Sequence, residues 1–362
     1  DFAVEYGLGE PSNSTQAAFF DYDQDGDLDM FLLNHNPKAL PILDESSTAD
    51  LLKKDDPIAG ARLFRQDIKP DGTPVFTDVT LKAGIHSSPL TYGLGIGIAD
   101  LNQDGWQDMY ISNDYAVPDF LYINNGDGTF TDQMKAGIGH TSHSSMGSDI
   151  ADFNNDGLAD IFTLDMLPED NRRQKLLAGL DNYELFDLNV RVGFHHQYMR
   201  NMLQVNTGAR TEGKKKAPIF SEIGQLSGIS NTDWSWAALF ADYDNDGWKD
   251  LLITNGNLRD FTNMDFVRYM GDHLKRIEGQ VKREAVLDLV YQMPSSNMKN
   301  YLYKNNQDLT FTNLADQWGL SEISNSGGAV YADLDNDGDL DLVINNINKP
   351  AFIYQNEGNH KL

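Results

Sequence analysis

Asp242-Tyr-Asp-Asn-Asp-Gly-Trp-Lys-Asp250 recurs with the same spacing of oxygen-bearing side chains at four other places. The copies are Asp21-Tyr-Asp-Gln-Asp-Gly-Asp-Leu-Asp29, Asp100-Leu-Asn-Gln-Asp-Gly-Trp-Gln-Asp108, Asp152-Phe-Asn-Asn-Asp-Gly-Leu-Ala-Asp160 and Asp333-Leu-Asp-Asn-Asp-Gly-Asp-Leu-Asp341. Asp or Asn stands at loop positions 1, 3, 5 and 9, and Gly at position 6 allows a sharp turn. Hard oxygen ligands in a flexible loop suit Ca2+, which takes about six to eight of them, whereas Mg2+ wants a tighter octahedron. The spacing predicts five Ca2+ sites. Their side-chain ligands are Asp21, Asp23, Asp25 and Asp29; Asp100, Asn102, Asp104 and Asp108; Asp152, Asn154, Asp156 and Asp160; Asp242, Asp244, Asp246 and Asp250; and Asp333, Asp335, Asp337 and Asp341. The backbone carbonyl at position 7 (Asp27, Trp106, Leu158, Trp248, Asp339) completes each set. The loops at Asp100 and Asp152 carry Asn at position 3, so their lower charge predicts weaker binding.

These are not EF-hands. That motif needs a bidentate Glu at position 12 between helices, and position 12 here is Leu32, Ile111, Thr163, Ile253 or Ile344. A short apolar run follows each loop instead: Met30-Phe-Leu-Leu33, Met109-Tyr-Ile-Ser112, Ile161-Phe-Thr-Leu164, Leu251-Leu-Ile-Thr254 and Leu342-Val-Ile-Asn345. Such β-branched and aromatic runs between turn residues read as strands. Apolar residues also precede each loop, so the cation is expected in a β-hairpin, clipping two strands together.

The repeat reaches beyond the hairpin. Asn34, Asn113, Asp165, Asn255 or Asn346 ends the second strand. A third strand follows at Leu63-Phe64, Leu121-Tyr122, Leu203-Gln204, Leu302-Tyr303 and Ile353-Tyr354. A fourth begins at Phe76-Thr77, Phe130-Thr131, Phe220-Ser221 or Phe311-Thr312, before Gly84-Ile85, Gly137-Ile138, Gly228-Ile229 or Gly319-Leu320. Four short strands per repeat predict an all-β fold, a β-propeller of four-stranded blades with helical insertions. Small residues in the strand before each loop (Ala17, Ala18; Gly93, Gly95, Gly97; Gly147; Ala237, Ala238; Gly327, Gly328) suit an innermost strand where blades converge.

These units resemble FG-GAP (VCBS) repeats, the calcium-binding blades of integrin alpha chains and many bacterial surface proteins. Asp127-Gly-Thr-Phe-Thr-Asp132 followed by Ala136-Gly-Ile138 resembles bacterial surface lipoproteins whose propeller precedes an ASPIC/UnbV domain. So do Ser14-Thr-Gln-Ala-Ala-Phe-Phe-Asp-Tyr-Asp23, Leu164-Asp-Met-Leu-Pro168 and Asp233-Trp-Ser-Trp236. Propellers of that kind are usually seven-bladed, which implies that five repeats are part of a larger ring and that 1–362 is a propeller domain or most of one. Residues 1–8 then read as the tail of a preceding repeat. The alternative is a closed five-bladed ring in which they supply the last blade's outer strand.

Three insertions, about 35–60, 167–200 and 257–298, interrupt the rhythm after a blade's second strand. Helical spacing is expected around Ser47–Asp55, Arg172–Leu180, Met264–Arg276 and Gln280–Gln292, the last with Val281, Val286, Leu289 and Val290 on one apolar face. Insertions on a propeller ride at loop ends, where binding function concentrates. They either form a partner surface on the side away from the calcium loops or pad neighbouring blades.

The net charge is −27, and the five loops hold 20 of the 55 acidic residues. Five Ca2+ would bring the charge to about −17, still enough to repel phosphate backbones, so nucleic acid is excluded as a partner. The basic stretch Arg210 to Lys216 reads as a solvated loop. There is no cysteine, so no disulfide braces the fold, and no membrane span is visible. Ca2+ at tenfold its Kd contributes roughly 1.4 kcal/mol per site, so five sites sum to ~7 kcal/mol, comparable with a domain's net stability. The loop carboxylates are therefore expected to hold structural metal rather than act as acid or base, and no catalytic residue is nominated. The adjacent His195 and His196, beside Tyr198, read as surface or packing residues rather than a metal site, and His140 and His143 lie elsewhere.

A non-catalytic, calcium-stabilised binding or scaffold module at the cell surface is the leading expectation. The resemblance implies an outer-membrane lipoprotein anchored outside this chain, accessory to a nutrient-uptake receptor or similar complex. An integrin-like adhesin and a polysaccharide-active propeller enzyme are the alternatives. A glycan ligand would stack on aromatic side chains, with Trp106 and Trp248 the candidates for exposure, while Trp234 and Trp236 are expected to pack between blades.

Overall fold

The computed structural model describes residues 2–9, 11–38, 44, 47–115, 117–177, 183–212, 215–276, 283–295 and 298–358. The fold is an all-β propeller architecture, and its blade sheets fall into two compact units: residues 1–164 with 183–227, and residues 165–182 with 228–362.

The first unit holds three antiparallel sheets, each a four-stranded meander in chain order. Blade 1 is Ser14–Phe20, Asp29–Asn34, Arg62–Ile68 and Pro74–Asp78. Blade 2 is Gly93–Ala99, Asp108–Asn113, Phe120–Asn124 and Phe130–Asp132. Blade 3 is Ser148–Ala151, Asp160–Thr163, Met202–Glu212 and Lys215–Glu222. The second unit holds blade 4, Ser235–Ala241, Asp250–Asn255, Tyr301–Asn305 and Phe311–Asn313. Its blade 5 has three strands among the described residues: Ser326–Ala332, Asp341–Asn346 and Phe352–Tyr354.

The second strands carry the core. In blades 2 and 4 all six residues are buried, as the unbroken apolar runs predict for strands covered on both faces. Leu33, Leu63, Ile111 and Tyr122 join one apolar cluster across blades 1 and 2. The glycines of the first strand in blade 2 allow close approach on both sides. A Cβ at Gly93 would fall 2.8 Å from Leu33 Cδ2 in blade 1, and one at Gly97 would fall 2.5 Å from Ile150 Cδ1 in blade 3. Blade 5 departs from that expectation, because a Cβ at Gly327 or Gly328 would meet no atom within 4 Å.

In the first unit, the Gly after the fourth strand of blades 1 and 2 is a joint between sheets. Gly84, at φ +79°, lies where a Cβ would come 2.9 Å from Phe130 O, and Phe130 N donates to Ala83 O at 2.8 Å. Residues 2–8 repeat this joint: Phe76 N donates to Tyr6 O at 2.7 Å, and Gly7 has φ +83°. The described residues 2–8 form turns against the fourth strand of blade 1.

The insertions are helical near the expected stretches, as Thr48–Lys53, Asn171–Leu176, Met264–Lys275 and Arg283–Gln292, and the second holds a further helix, Tyr183–Arg191, that the sequence reading did not expect. Val281 and residues 178–180 lie outside the described residues. In the first unit, Leu51, Leu52 and Leu188 pack on the cluster that contains Leu33, Leu90, Val192 and Phe194, so there the insertions cover blade ends. In the second unit, Leu289 is buried but Val286 and Val290 are exposed, so the predicted apolar face is only partly covered. Of the stretch Arg210 to Lys216, the described residues 210–212 and 215–216 are strand rather than loop, and 213 and 214 lie outside the described residues. Arg210 pairs with Ala217 and Thr211 with Lys216, so cross-strand polar pairs continue the third and fourth strands of blade 3.

Gly84→Ala should lower the melting temperature by an amount equivalent to about 1–3 kcal/mol, since it combines a positive φ with a backbone clash. Gly139→Ala, with open space at its Cβ and no positive φ, should be nearly silent. Equal thermal shifts for the two variants would refute the joint.

Candidate metal centres

All five loops share one hydrogen-bond scheme. The position-1 carboxylate accepts from the backbone N–H groups of positions 5 and 6. Asp104 N and Gly105 N reach Asp100 at 3.0 and 2.8 Å, and Asp246 N and Gly247 N reach Asp242 at the same distances. The position-5 carboxylate accepts from the position-7 N–H, as Trp106 N does to Asp104 at 3.0 Å. Gly at position 6 has φ between +85° and +96° in every copy. Position 4 is left-handed too, at Gln24, Gln103, Asn155, Asn245 and Asn336 (φ +56° to +63°). That is an uncommon conformation outside Gly, for which Asn is several-fold enriched. Sequence reading passed over position 4, although the run of Asn and Gln there was the available signal.

Position 9 is where the loop meets the sheet. Asp29, Asp108, Asp160, Asp250 and Asp341 are all buried. Each accepts a backbone N–H from loop position 2 and another from the third strand. For Asp108 these are Leu101 N at 2.9 Å and Asn124 N at 2.8 Å; for Asp250 they are Tyr243 N at 3.2 Å and Asn305 N at 2.9 Å. Burial pushes the carboxyls of Asp29, Asp108, Asp160 and Asp250 up to about 7. A cation beside such groups favours their ionised form.

Carboxylate oxygens converge within 4.8 Å of one another in three loops: Asp21, Asp23 and Asp29; Asp242, Asp244 and Asp246; and Asp333, Asp335 and Asp341. In the loops at Asp100 and Asp152, the position-3 amides donate to position 5 instead, Asn102 to Asp104 at 2.9 Å and Asn154 to Asp156 at 3.0 Å. In the first loop, Asp23 Oδ1 and Asp27 Oδ1 are buried with no hydrogen-bond partner. Anionic oxygens drawn together and left unpaired suit an oxygen-seeking divalent cation, so the residues fit Ca2+.

The loops also link blade to blade within each unit. Gln24 Nε2 donates to Gly105 O at 2.7 Å and Gln103 Nε2 to Gly157 O at 2.9 Å, while Asn245 Nδ2 donates to Asp339. Behind them a third-strand Asn crosses to the neighbouring loop. Asn124, Asn206 and Asn356 donate Nδ2 to Tyr22 O, Leu101 O and Tyr243 O, each at 2.8 Å. These asparagines were not singled out from the sequence, because their role depends on the next blade.

Trp106 and Trp248 are half-buried rather than exposed. Trp106 lies against the turn at Gly126, where a Cβ would come 2.9 Å from its ring, so the Asn-Gly turn shields it. Trp234 is buried and stacks on Trp236 at 6.3 Å. Asp233, from the same stretch, binds Arg173 of the second insertion through both carboxylate oxygens, at 2.5 and 2.9 Å. His195 is buried, its Nε2 2.8 Å from Ile138 O.

With this geometry in hand, the comparisons are direct. Residues 100–163 and 286–344 match the FG-GAP-like repeat model. The chain carries FG-GAP-like repeats. Cartilage acidic protein 1 of Homo sapiens is 35% identical over 91 residues, 25% of this chain and 13% of that protein; the Mus musculus protein is 34% identical over the same share, 14% of its length. The matched part is thus a small portion of either relative. Among solved structures, a lectin of Agrocybe aegerita that recognises non-reducing terminal N-acetylglucosamine aligns at TM-score 0.40 and 16% identity, covering 97% of this chain and 68% of the lectin. An exotype rhamnogalacturonan lyase aligns at 0.31 and 12%, covering 92% and 56%. At those scores neither likeness bears on ligand or reaction. No helix among the described residues is long and apolar enough to cross a membrane.

Buried acids also lie outside the loops, Asp119 among them. Asp119 accepts from Tyr110 OH at 2.5 Å, Asn113 N at 2.8 Å and Ser145 Oγ at 2.9 Å, and burial pushes its carboxyl up to about 7. Its folded pKa exceeds the ~3.9 of an unfolded Asp, so the folded state holds the extra proton and stability from this group falls as pH rises from about 4 to 7. Asp119→Asn has no such proton. Its melting temperature should gain on that of the wild type as pH is raised from about 5 to 8, and a constant difference over that range would contradict the assignment.

Proposed function

We propose that this chain is a non-catalytic, calcium-stabilised binding or scaffold module working at the cell surface or outside the cell. The observation that carries the reading is the common loop scheme. Five loops hold their acidic side chains in one arrangement, and in the first of them buried carboxylate oxygens lack partners. The position-1, position-3, position-5 and position-9 side chains would hold the cation, with the position-7 carbonyl beside them. Bound Ca2+ supplies positive charge that cancels the repulsion of crowded carboxylates. The protein's own contribution is orientation. Position-5 and position-6 N–H groups aim the position-1 carboxylate, and two further N–H groups fix position 9, tying the loop to the third strand. Occupied loops would stiffen the hairpins and their contacts with neighbouring blades.

The third insertion supports a binding role. Its helices expose Tyr269, Val286, Leu287, Val290 and Tyr291, more apolar side chain than a solvated helix pair needs. The finer reading, an accessory subunit of an outer-membrane complex such as a nutrient-uptake receptor, rests on the sequence resemblance alone. Native co-purification with mass spectrometry tests it, because a free adhesin brings no stoichiometric membrane partner.

Calorimetric titration should count at least three Ca2+ sites with clear preference over Mg2+, and saturating Ca2+ should raise the melting temperature. Fewer than three sites, or equal affinity for the two ions, would sink the proposal. Deleting 262–293 should abolish complex formation while leaving calcium binding intact. Assembly that survives the deletion would make that insertion mere padding.

A further inference from the structure

Blade register places one third-strand residue beside each position-9 Asp. The pairs Met30–Phe64, Met109–Tyr122, Ile161–Gln204, Leu251–Tyr303 and Leu342–Tyr354 put Arg65, Ile123, Val205, Lys304 and Gln355 in equivalent places. Position 3 of the loop follows that residue. It is Asp where the strand offers Arg65, Lys304 or Gln355, namely Asp23, Asp244 and Asp335, and Asn where it offers Ile123 or Val205, namely Asn102 and Asn154.

The contacts account for the pairing in blades 2 to 5, and blade 1 is the exception. Facing an apolar strand residue, Asn102 and Asn154 supply the donor within the loop, to Asp104 and Asp156. In blade 5, Gln355 Nε2 donates to Asp335 Oδ2 at 2.6 Å. In blade 4, Lys304 Nζ reaches both Asp244 and Asp246, the latter at 2.8 Å, and the Asp244 side chain is only 1% exposed. In blade 1, Arg65 turns to Asp67 at 2.8 Å, and Asp23 Oδ1 stays buried without a partner.

We propose that this third-strand position sets each loop's demand for a divalent cation, and that Lys304 is the fourth loop's own cation, which Ca2+ must displace. The inference rests on the calcium reading above and adds a rank order to it. Carboxylate count alone would place the fourth loop above those at Asp100 and Asp152. Lys304 reverses that, because its ammonium already occupies the carboxylates that Ca2+ needs. A lysine suits an exchangeable role: a point charge on a flexible four-carbon stem can withdraw to solvent. The first loop, where Asp23 Oδ1 is buried without a partner and Arg65 pairs with Asp67 instead, depends most on metal. The fourth keeps its carboxylates neutralised when calcium is scarce.

Lys304→Met tests this, with Trp248 in the same loop as reporter. The calcium-dependent change in Trp emission that Trp248→Phe removes isolates the fourth loop. Lys304→Met should tighten that site about tenfold, the scale of a charge-assisted pair. It should also lower the melting temperature in chelator but not in saturating Ca2+. An unchanged Trp248-reported Kd, or equal destabilisation with and without calcium, overturns the inference while calcium binding elsewhere stands. No calcium binding at any loop of the wild type overturns the parent reading instead. Should Lys304→Met fail to fold, Lys304→Gln, which mimics Gln355, is measured in the same way, with tighter calcium binding and chelator-specific destabilisation again expected.

Discussion

The ninth residue of each loop joins three pieces of backbone. Its buried carboxylate accepts one N–H from the start of the loop and one from the third strand, while its own backbone opens the second strand. Loop, hairpin and third strand therefore share one anchor per blade. Replacing such a carboxylate by an apolar group would leave two buried N–H donors unpaired, each costing about 1–3 kcal/mol. The anchor also makes the sheet and the metal site interdependent. The carboxylate that organises the backbone is the one whose burial raises its need for a cation.

From that anchor the blades connect outward. The Asn whose backbone N–H binds that carboxylate in blades 2, 3 and 5 sends its side-chain amide to a carbonyl in the preceding blade's loop. Position-4 side chains reach the next loop along the same rim. Polar side chains thus carry blade-to-blade contact at the loop end, and Gly joints such as Gly84 carry it at the outer edge. The apolar second strands fill the space between.

The second insertion shows how an apparent interruption is built in. Asp170 caps the helix Asn171–Leu176 by accepting from Arg173 N at 2.9 Å. The Arg173 guanidinium then bridges Asp233 and Asp260. Asp233 has φ +65°, and its N–H donates to Leu167 O. Two stretches that the sequence marked as distinctive, 164–168 and 233–236, are partners. A bidentate Arg with its aspartate 1% exposed makes this clamp far stronger than a surface ion pair.

Strand positions, the loop repeat and the helical insertions were legible in the sequence because each depends on local spacing. Alternation, Asp-x-Asp/Asn-x-Asp-Gly and turn glycines are properties of nine to thirty or so neighbouring residues, and the repeat printed them five times. The left-handed residue at position 4 was equally local and could have been read from its Asn and Gln. Other features needed tertiary structure. Nothing near Trp106 in sequence says that the turn at Gly126 lies against it, and Asn124 becomes a bridge only when Tyr22 O, 102 residues away in the chain, stands opposite. The part played by Lys304 was hidden for the same reason. The loop it neutralises lies 60 residues earlier in the chain, and only the register of strand three against strand two brings the ammonium to Asp244.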